Sequence, residues 1–252
     1  MSNLFWLSEA QLARLEPFFP KSHGKPRVDD RRVLSGIIFI NRNGLRWCDA
    51  PKEYGPPKTL YNRWKRWSDM GVFARIMAGL AAEGTEQRAV MIDATYLKAH
   101  RTASSLRVKK GPRGRLIGRT KGGLNTKLHA VTDALGRPIR FFMSAGQVSD
   151  YTGALAMLDG LPAADWLIAD RGYDADWFRD ALKDKGIRAC IPGRSSRSKP
   201  VRYDKRRYKR RNRIEIMFGR LKDWRRVATR YDRCPQVFLS AVALAATVIY
   251  WL

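Results

Sequence analysis

The sequence predicts an α/β protein with a mixed sheet flanked by helices, preceded by an all-helical module. Apolar residues recur at helical spacing through the first 84 residues, whereas short apolar runs typical of buried strands begin near residue 89. Strand and helix patterns then alternate towards the C-terminus, as in sheets that are covered by helices. At 252 residues the chain is long enough for one full α/β core and a small additional module. We therefore expect two domains, residues 1–84 and 85–252.

The charge of the chain indicates a polyanionic partner. There are 49 Lys and Arg against 23 Asp and Glu, which gives a formal net charge of +26. A disordered basic tail would carry such a charge too, but 44% hydrophobic and 11% aromatic residues are typical of a chain that folds. We therefore expect a globular protein that binds nucleic acid.

Three further features limit the compartment and the class. Cys48, Cys190 and Cys234 form no CxxC pair, which disfavours disulfide scaffolds and zinc ribbons. The N-terminus shows no secretory signal, and the apolar run from Val237 to Leu252 is shorter than the ~20 residues of a membrane-spanning helix. We interpret that run as a buried closing helix and expect a cytoplasmic protein without membrane contact.

The N-terminal module has the spacing of a helix-turn-helix. Ser8 and Gln11 form a capping box for a first helix, and a second runs from Asp29 or Asp30 to Asn43-Gly44. After a Gly55-Pro56-Pro57 turn, a helix from Lys58 or Thr59 to about Met70 predicts a basic face for a DNA groove. The alternative is an ordinary solvated helix face. The residues proposed for DNA contact are Lys58, Asn62, Arg63 and Arg66.

The second domain combines strand and helix patterns. Its predicted strands are 89–92, 124–132, 139–143, 166–169 and 188–191, and its predicted helices are 152–158 and 175–185, followed by long helices from about 208 and 236. The first three strands are expected in meander order. Two basic loops interrupt this domain. Residues 101–121 hold eight Lys and Arg and no acid, and residues 194–213 hold eleven and one acid. Both are predicted to contact DNA, although each could be only a solubilising stretch.

Three acidic residues are candidates for a catalytic site. Asp93 directly follows the apolar run ending at Ile92, and Asp170 follows the run ending at Ala169. The carboxyl ends of buried strands are where open α/β sheets place ligand sites, but a single Asp there is more often a turn or cap residue. Glu215 is predicted at the edge of an apolar helix stripe, where an ion pair with Arg211 is the ordinary interpretation.

Taken together, these residues form a recognisable signature. Tyr208-x2-Arg211-x3-Glu215-x6-Lys222 follows Asp93 in Ile92-Asp93-Ala94-Thr95 and Asp170 in Asp170-Arg171-Gly172-Tyr173. With this pattern the chain resembles bacterial insertion-sequence transposases of the DDE superfamily, of the Y-R-E-K signature type. The resemblance covers nearly the whole chain and implies a ribonuclease H-like catalytic domain from about residue 85 onward.

The resemblance also implies a chemistry. Asp93, Asp170 and Glu215 would be metal ligands, and hard carboxylate oxygens suit two Mg²⁺ ions per site, with Mn²⁺ as a substitute. Such an enzyme hydrolyses double-stranded DNA at the element ends and then joins the freed 3′-hydroxyl to target DNA. Arg211 and Lys222 would contact phosphates near the scissile bond, with Tyr208 hydrogen-bonding or stacking nearby. Because a transposon has two ends, a homodimer or higher oligomer on DNA is expected, at the bacterial nucleoid.

Other DNA-processing classes share part of this pattern. A tyrosine recombinase also joins DNA, but none of the three histidines, His23, His100 and His129, lies near Tyr208 in the sequence. A ribonuclease H-like DNA nuclease and a catalytically inactive, transposase-derived DNA-binding protein both remain open. The N-terminal module discriminates the nuclease, because a transposase should recognise terminal inverted repeats and a structure-selective nuclease should follow DNA shape.

Overall fold

A computed structural model describes residues 4–21, 28–84, 87–105 and 114–252. In chain order the helices are α1 (Glu9–Leu15), α2 (Asp30–Asn43), α3 (Pro57–Asp69), α4 (Val72–Ala82), α5 (Arg101–Ser104), α6 (Asp150–Leu158), α7 (Asp176–Asp184), α8 (Lys205–Tyr208), α9 (Asn212–Lys222), α10 (Arg225–Ala228) and α11 (Pro235–Tyr250). The strands are β1 (Gln87–Ala99), β2 (Gly118–Thr120), β3 (Gly123–Thr132), β4 (Pro138–Ala145), β5 (Ala164–Ile168), β6 (Arg188–Cys190) and β7 (Thr229–Arg230).

The chain divides into two compact units. The helical unit comprises residues 1–80, 100–110 and 221–252, and the sheet unit comprises residues 81–99 and 111–220. The first boundary lies close to the predicted one at residue 84. The C-terminal segment differs from the prediction, because residues 221–252 group with the N-terminal helices instead of the sheet. Helix α11 contacts both α2 and α3, which explains this grouping.

Local capping signals define the first helices of the helical unit. The Ser8 hydroxyl accepts a hydrogen bond from the backbone N–H of Gln11, and the Gln11 side chain accepts one from the N–H of Ser8, as the predicted capping box requires. Helix α2 ends at Gly44, which has a φ of 71°. This left-handed conformation favours glycine at the end of a helix. The predicted ends of α2 are therefore confirmed.

Helix α11 closes the helical unit. Ten of its residues, from Val237 to Thr247, are buried, and the prediction of a buried closing helix is confirmed. Within the described ranges, no helix combines the length and apolarity needed to cross a membrane.

The sheet unit is built around β1. Strand β3 pairs antiparallel with β1, and β4 pairs antiparallel with β3, so the predicted meander is present. On the other side β5 runs parallel to β1, and β6 runs parallel to β5. The resulting order β4-β3-β1-β5-β6 is a mixed sheet with helices α6 and α7 packed against it. The predicted mixed α/β sheet is thus confirmed, and its topology is ribonuclease H-like.

Strand β1 is longer than the sequence pattern predicts. Its pairing with β3 continues from Met91 to Lys98, so Asp93 lies within the strand and does not follow it. The apolar run ends at Ile92 because the parallel pairing with β5 ends at Met91. Side chains on one face of β1, including Val90 and Ile92, pack in a core with α6 and α7. Because side chains alternate along a strand, Asp93 faces the opposite side of the sheet from Ile92.

Candidate active site

Asp93 and Asp170 are brought together by the two parallel strands at the centre of the sheet. The register aligns Met91 of β1 with Ile168 of β5. Asp93 lies two residues after Met91, and Asp170 lies two residues after Ile168. Neighbouring strands are separated by about 4.8 Å, which places the two residues side by side. The charge of Asp170 accordingly contributes to the pKa of Asp93. This convergence is the one expected from the sequence.

The turn after β5 holds the Asp170 carboxylate in place. Its Oδ1 accepts a hydrogen bond of 2.8 Å from the backbone N–H of Gly172. A Cβ atom at Gly172 would lie 2.8 Å from the same oxygen, closer than real Cβ contacts allow. A side chain two positions after Asp170 would therefore push the Asp170 carboxylate out of this position, which gives the Asp-x-Gly spacing a physical reason.

The third acid lies on helix α9. The apolar stripe of this helix is buried as predicted, through Ile214, Met217, Phe218 and Leu221, and Glu215 beside it is 54% exposed at its side chain. Tyr208 and Arg211 precede α9, in helix α8 and in a short 3-10 turn over Lys209–Arg211. The Arg211 guanidinium lies 6.0 Å from the Tyr208 ring centroid.

Arg211 joins two of the three acids. Its Nη1 lies 2.7 Å from Oδ2 of Asp93, and its Nη2 forms an ion pair with Glu215. The predicted ion pair between Arg211 and Glu215 is present, and the pairing with Asp93, 118 residues earlier in the chain, is an additional contact. A single guanidinium thus bridges carboxylates from β1 and α9.

The site raises the pKa of Asp93 to about 6. Burial is the main cause, since a charged carboxylate loses hydration inside the protein. The backbone N–H of Ala94 and the guanidinium of Arg211 oppose this rise, whereas the charges of Asp170 and Glu215 add to it. Asp93 therefore carries an ionisation cost that a nearby cation would relieve.

The donor set fits a divalent metal ion. All three acids supply hard carboxylate oxygens, the ligands that Mg²⁺ and Mn²⁺ prefer. Across the described residues, no group of three or more His, Cys, Asp and Glu side chains is arranged closely enough to hold a metal ion as it stands. The guanidinium of Arg211 already bridges Asp93 and Glu215 as a cation. Binding of a metal by both acids would therefore require Arg211 to move.

Tyr173 and Asp174 follow Asp170 closely and support the site, although the sequence analysis gave them no role. The Tyr173 ring is buried in the core, and its hydroxyl has no hydrogen-bond partner among the described residues. Burial raises the pKa of Tyr173 well above its usual value, and the charges of Asp150, Asp93 and Asp170 add to the rise. Tyr173 is therefore a neutral core residue that the charges of Asp93 and Asp170 reach.

Asp174 anchors the second basic loop. Burial alone would raise the pKa of this carboxyl, but hydrogen bonds from the Arg194 backbone N–H and from the Arg197 and Arg179 side chains lower it below its usual value. Each of these three bonds is 2.8 Å long. The one signal for this role in the sequence is the position of Asp174, directly after the Asp170-Arg171-Gly172-Tyr173 motif. Its hydrogen-bond partners lie up to 23 residues away in the sequence, so the pattern does not identify them.

The basic loops are only partly available to DNA. In residues 194–213, five arginines bond to atoms of the protein itself: Arg194, Arg197, Arg207, Arg211 and Arg213. The remaining exposed cations of this loop are Lys199, Arg202, Lys205, Arg206, Lys209 and Arg210. In the loop at 101–121, residues 106–113 lie outside the described ranges, while Arg101, Arg119 and Lys121 are exposed.

Helix α3 presents three of the four predicted DNA-contacting residues. Lys58, Asn62 and Arg66 are exposed at four-residue spacing and share one helix face. Arg63 does not belong to this surface, contrary to the helical-wheel prediction. Its side chain is only 5% exposed, pairs with Asp30 and lies over the Trp67 ring at 5.0 Å. It is a structural cation of the helical unit.

Lys222 is the last residue of α9, seven positions after Glu215. It is exposed, and partial burial lowers the pKa of its ammonium group from the usual value. By its contacts Lys222 groups with the helical unit, whereas Asp93, Asp170, Tyr208, Arg211 and Glu215 all belong to the sheet unit.

Comparisons with known proteins show the family to which the chain belongs. A family model described as "Putative transposase of IS4/5 family" matches residues 7–77, and one described as "Transposase DDE domain" matches residues 167–252. The chain is 38% identical over 128 residues to a Brucella ovis protein named "Putative transposase for insertion sequence element IS6501", covering 50% of this chain and 98% of that one. It is 29% identical over 153 residues to "Putative transposase for insertion sequence element IS402" of Burkholderia cepacia, covering 53% of this chain and 70% of that one.

A solved structure shares the fold. A piggyBac transposase in a synaptic complex with hairpin DNA matches with a TM-score of 0.52 at 10% identity, covering 97% of this chain and 72% of that chain. At 10% identity this likeness shows the fold alone. The sequence relatives show the family, because the chain is 38% identical to the Brucella ovis protein and spans 98% of its length. The chain therefore belongs to the DDE transposases of bacterial insertion sequences.

Proposed function

We propose that this transposase binds the terminal inverted repeats of its insertion sequence, cleaves DNA at the element ends and transfers the freed strand into target DNA. The observation that carries the proposal is the convergence of Asp93 and Asp170, on neighbouring parallel strands, with Arg211 and Glu215. Acids from three separate segments gathered on a sheet unit provide the ligands for metal-dependent phosphoryl transfer.

The family uses divalent metal ions. In this chain we propose Asp93, Asp170 and Glu215 as the ligands of two Mg²⁺ ions, with Mn²⁺ as a substitute. When bound, such ions supply a deprotonated oxygen nucleophile and stabilise the leaving oxygen of an in-line displacement. The protein contributes fixed carboxylates: Gly172 orients Asp170, and the Ala94 N–H orients Asp93 with a bond of 2.8 Å.

Arg211 is proposed to act on DNA phosphates. A guanidinium whose two Nη atoms each pair with a carboxylate oxygen can offer the same two nitrogens to the oxygens of one phosphate. We propose that Arg211 leaves Asp93 and Glu215 when DNA occupies the site, and then holds a phosphate beside the scissile bond. The Tyr208 ring beside Arg211 supports this position, and Lys222 contributes a further phosphate contact.

Recognition of the element ends is proposed for helix α3. Lys58, Asn62 and Arg66 offer two cations and one amide on one exposed face, a combination able to contact phosphates and base edges. The exposed cations of the basic loops would bind the flanking backbone. We further propose that the protein acts as a homodimer or higher oligomer on DNA at the nucleoid, because two element ends must be processed together.

The experiment compares DNA substrates that separate a transposase from a nuclease. The purified protein is incubated with Mg²⁺ and labelled DNA that carries the element's own ends, the same ends in scrambled order, or a branched junction. We expect cleavage only at the authentic ends, followed by joining to an added plasmid. Equal cleavage of all three substrates would identify a ribonuclease H-like nuclease. Specific binding of the ends without cleavage would identify an inactive transposase-derived protein.

A Lys58→Gln and Arg66→Gln double variant tests the role of α3. We expect weaker binding of the authentic ends and an unchanged thermal midpoint, because both side chains are exposed. The matched control is Lys52→Gln with Arg75→Gln, on neighbouring segments of the same unit. If both pairs weaken binding of authentic and scrambled ends alike, α3 contributes only general charge and does not recognise the ends.

A further inference from the structure

A cleft lies on the sheet unit, apart from the three acids. It has a volume of about 460 Å³ and is lined by Tyr96 and Lys98 of β1 and by Thr120, Lys121, Gly122 and Asn125 of the β2–β3 hairpin. This volume is within the range of small-ligand sites, roughly 300–1,000 Å³. Tyr96 lies three residues beyond Asp93 on β1, about 10 Å along the strand at ~3.3 Å per residue. Alternation along the strand places its side chain on the other face of the sheet from Asp93.

The cleft offers an aromatic surface. Tyr96 is 51% exposed. It lies on β1 beyond Met91, where the pairing of β1 with β5 ends and the pairing with β3 continues. Lys127, directly across from Tyr96 on β3, places its ammonium group 5.0 Å from the ring centroid. That ammonium is itself held by the Val148 carbonyl and the Asp150 carboxylate. The Lys127 side chain is only 6% exposed, so Tyr96 is fixed over a buried cation while half of its surface faces solvent.

The cleft is also positively charged. Lys98 and Lys121 are exposed, and neither forms an ion pair within the described part of the chain. Among the described residues that line the cleft there is no Asp or Glu. The wall formed by Gly122 carries no side chain, and a Cβ atom at that position would meet only the Thr120 hydroxyl, at 3.8 Å. An anionic group can therefore reach both ammonium groups without meeting a competing carboxylate.

We propose that this cleft binds one nucleotide of an unpaired DNA strand, with the base stacked on Tyr96 and the adjacent phosphates held by Lys98 and Lys121. An exposed ring beside free cations matches the composition of single-strand sites, in which bases stack on aromatic residues and lysines track the backbone. A duplex would use the two ammonium groups but not the ring, because its base faces are covered by one another. This inference rests on the proposed DNA-processing function and adds an unpaired strand as a ligand.

The test is a comparison of single-stranded and duplex DNA binding by the full-length protein. Fluorescence anisotropy follows a labelled oligothymidine of about 12 nucleotides and a duplex carrying the element end, both in EDTA so that cleavage does not contribute. We expect Tyr96→Ala to weaken oligothymidine binding by roughly 5-fold or more and to leave duplex binding almost unchanged. Tyr96→Phe keeps the ring and should keep the affinity.

Two further variants separate stacking from general effects. Trp177→Ala removes an aromatic residue that is 41% exposed on α7 and does not line the cleft, and it should not change oligothymidine binding. Lys98→Gln with Lys121→Gln should reduce the slope of log affinity against log salt for oligothymidine by about 1.4, the value for two phosphate contacts on a single strand. Lys183→Gln, an exposed cation on α7, is the charge control.

Several results would overturn the inference. Equal losses for Tyr96→Ala and Trp177→Ala, or equal losses on single strands and duplex, would mean that Tyr96 only covers Lys127. Displacement of the oligonucleotide by thymidine monophosphate at equal nucleotide concentration would identify a site for free nucleotides. A wild-type protein that binds the duplex ends but not oligothymidine would contradict single-strand binding at this cleft while leaving the proposed transposase function in place. A protein that binds neither DNA would contradict both.

Discussion

At the scale of single residues, Asp93 is the most strongly perturbed acid of the candidate site. Its side chain is 14% exposed at the centre of the sheet, and burial raises its pKa to about 6. Because the pKa of this carboxyl is higher in the folded than in the unfolded state, its contribution to stability is present below about pH 4 and is lost as the pH rises through about 6. At neutral pH the ionised carboxylate therefore destabilises the fold, as sites prepared for a cation often do.

Replacing Asp93 by Asn should stabilise the protein at pH 8. The amide removes the buried charge, and the expected gain in the free energy of unfolding is up to about 3 kcal/mol, a figure that already includes the opposing effect of Arg211 on the pKa. The gain should shrink as the pH falls through about 6 and be small at about pH 4, because the wild-type carboxyl becomes protonated over this range. Urea denaturation without divalent ions at both pH values measures it. Asp165→Asn, at an exposed position on β5, is the control. A variant less stable than wild type at pH 8 would show that the Arg211 pair outweighs the burial.

Arg211 provides a second prediction at this scale. Without divalent ions, Arg211→Ala should lower the thermal midpoint, because Asp93 and Glu215 lose the cation between them. Millimolar Mg²⁺ should then raise the midpoint of the variant more than that of the wild type, since no guanidinium has to be displaced. Arg210→Ala, the exposed neighbour, is the matched control. An identical Mg²⁺ effect on wild type and Arg211→Ala would argue that the ion does not bind between these acids.

At the scale of elements, helices α2 and α3 are joined by a buried ion pair. Asp30→Ala should lower the free energy of unfolding by about 3–5 kcal/mol, because it leaves the Arg63 guanidinium buried without its partner. Asp69→Ala breaks the exposed pair with Lys65 on the same helix α3 and should cost at most about 1 kcal/mol. Guanidinium denaturation of the two variants gives the comparison. Similar small losses in both would mean that Arg63 finds another partner.

Elements with local signals were predictable from the sequence, and those fixed by distant contacts were not. The capping box at Ser8 and the glycine that ends α2 act within one helix turn, so their pattern is sufficient. Strand β1 continues beyond its apolar run because β3 pairs with it along residues far away in the sequence. Arg63 looked like a surface cation because Asp30, its partner, lies 33 residues earlier. For the same reason the sequence could indicate an Arg211–Glu215 pair but not the contact of Arg211 with Asp93.

At the scale of the whole molecule, the net charge of +26 predicts that DNA binding depends strongly on salt. Each lysine or arginine that neutralises a phosphate releases a counterion, so affinity should fall steeply as salt rises. If six or more phosphates are contacted, the loss between ~50 and ~200 mM salt is about 10³-fold or more. Anisotropy titrations of an element-end duplex at several salt concentrations measure the slope. A shallow slope would mean that most exposed cations of the basic loops stay away from the DNA.

The account depends on Asp93, Asp170 and Glu215 acting as one metal-dependent site. The most direct measurement is Mg²⁺-dependent cleavage of DNA carrying the element's own ends by the wild type and by Asp93→Ala, Asp170→Ala and Glu215→Ala, with end binding measured in parallel. We predict that the wild type cuts at the ends and that each variant binds the ends but does not cut. Variants that cut as well as the wild type would contradict the three-acid site.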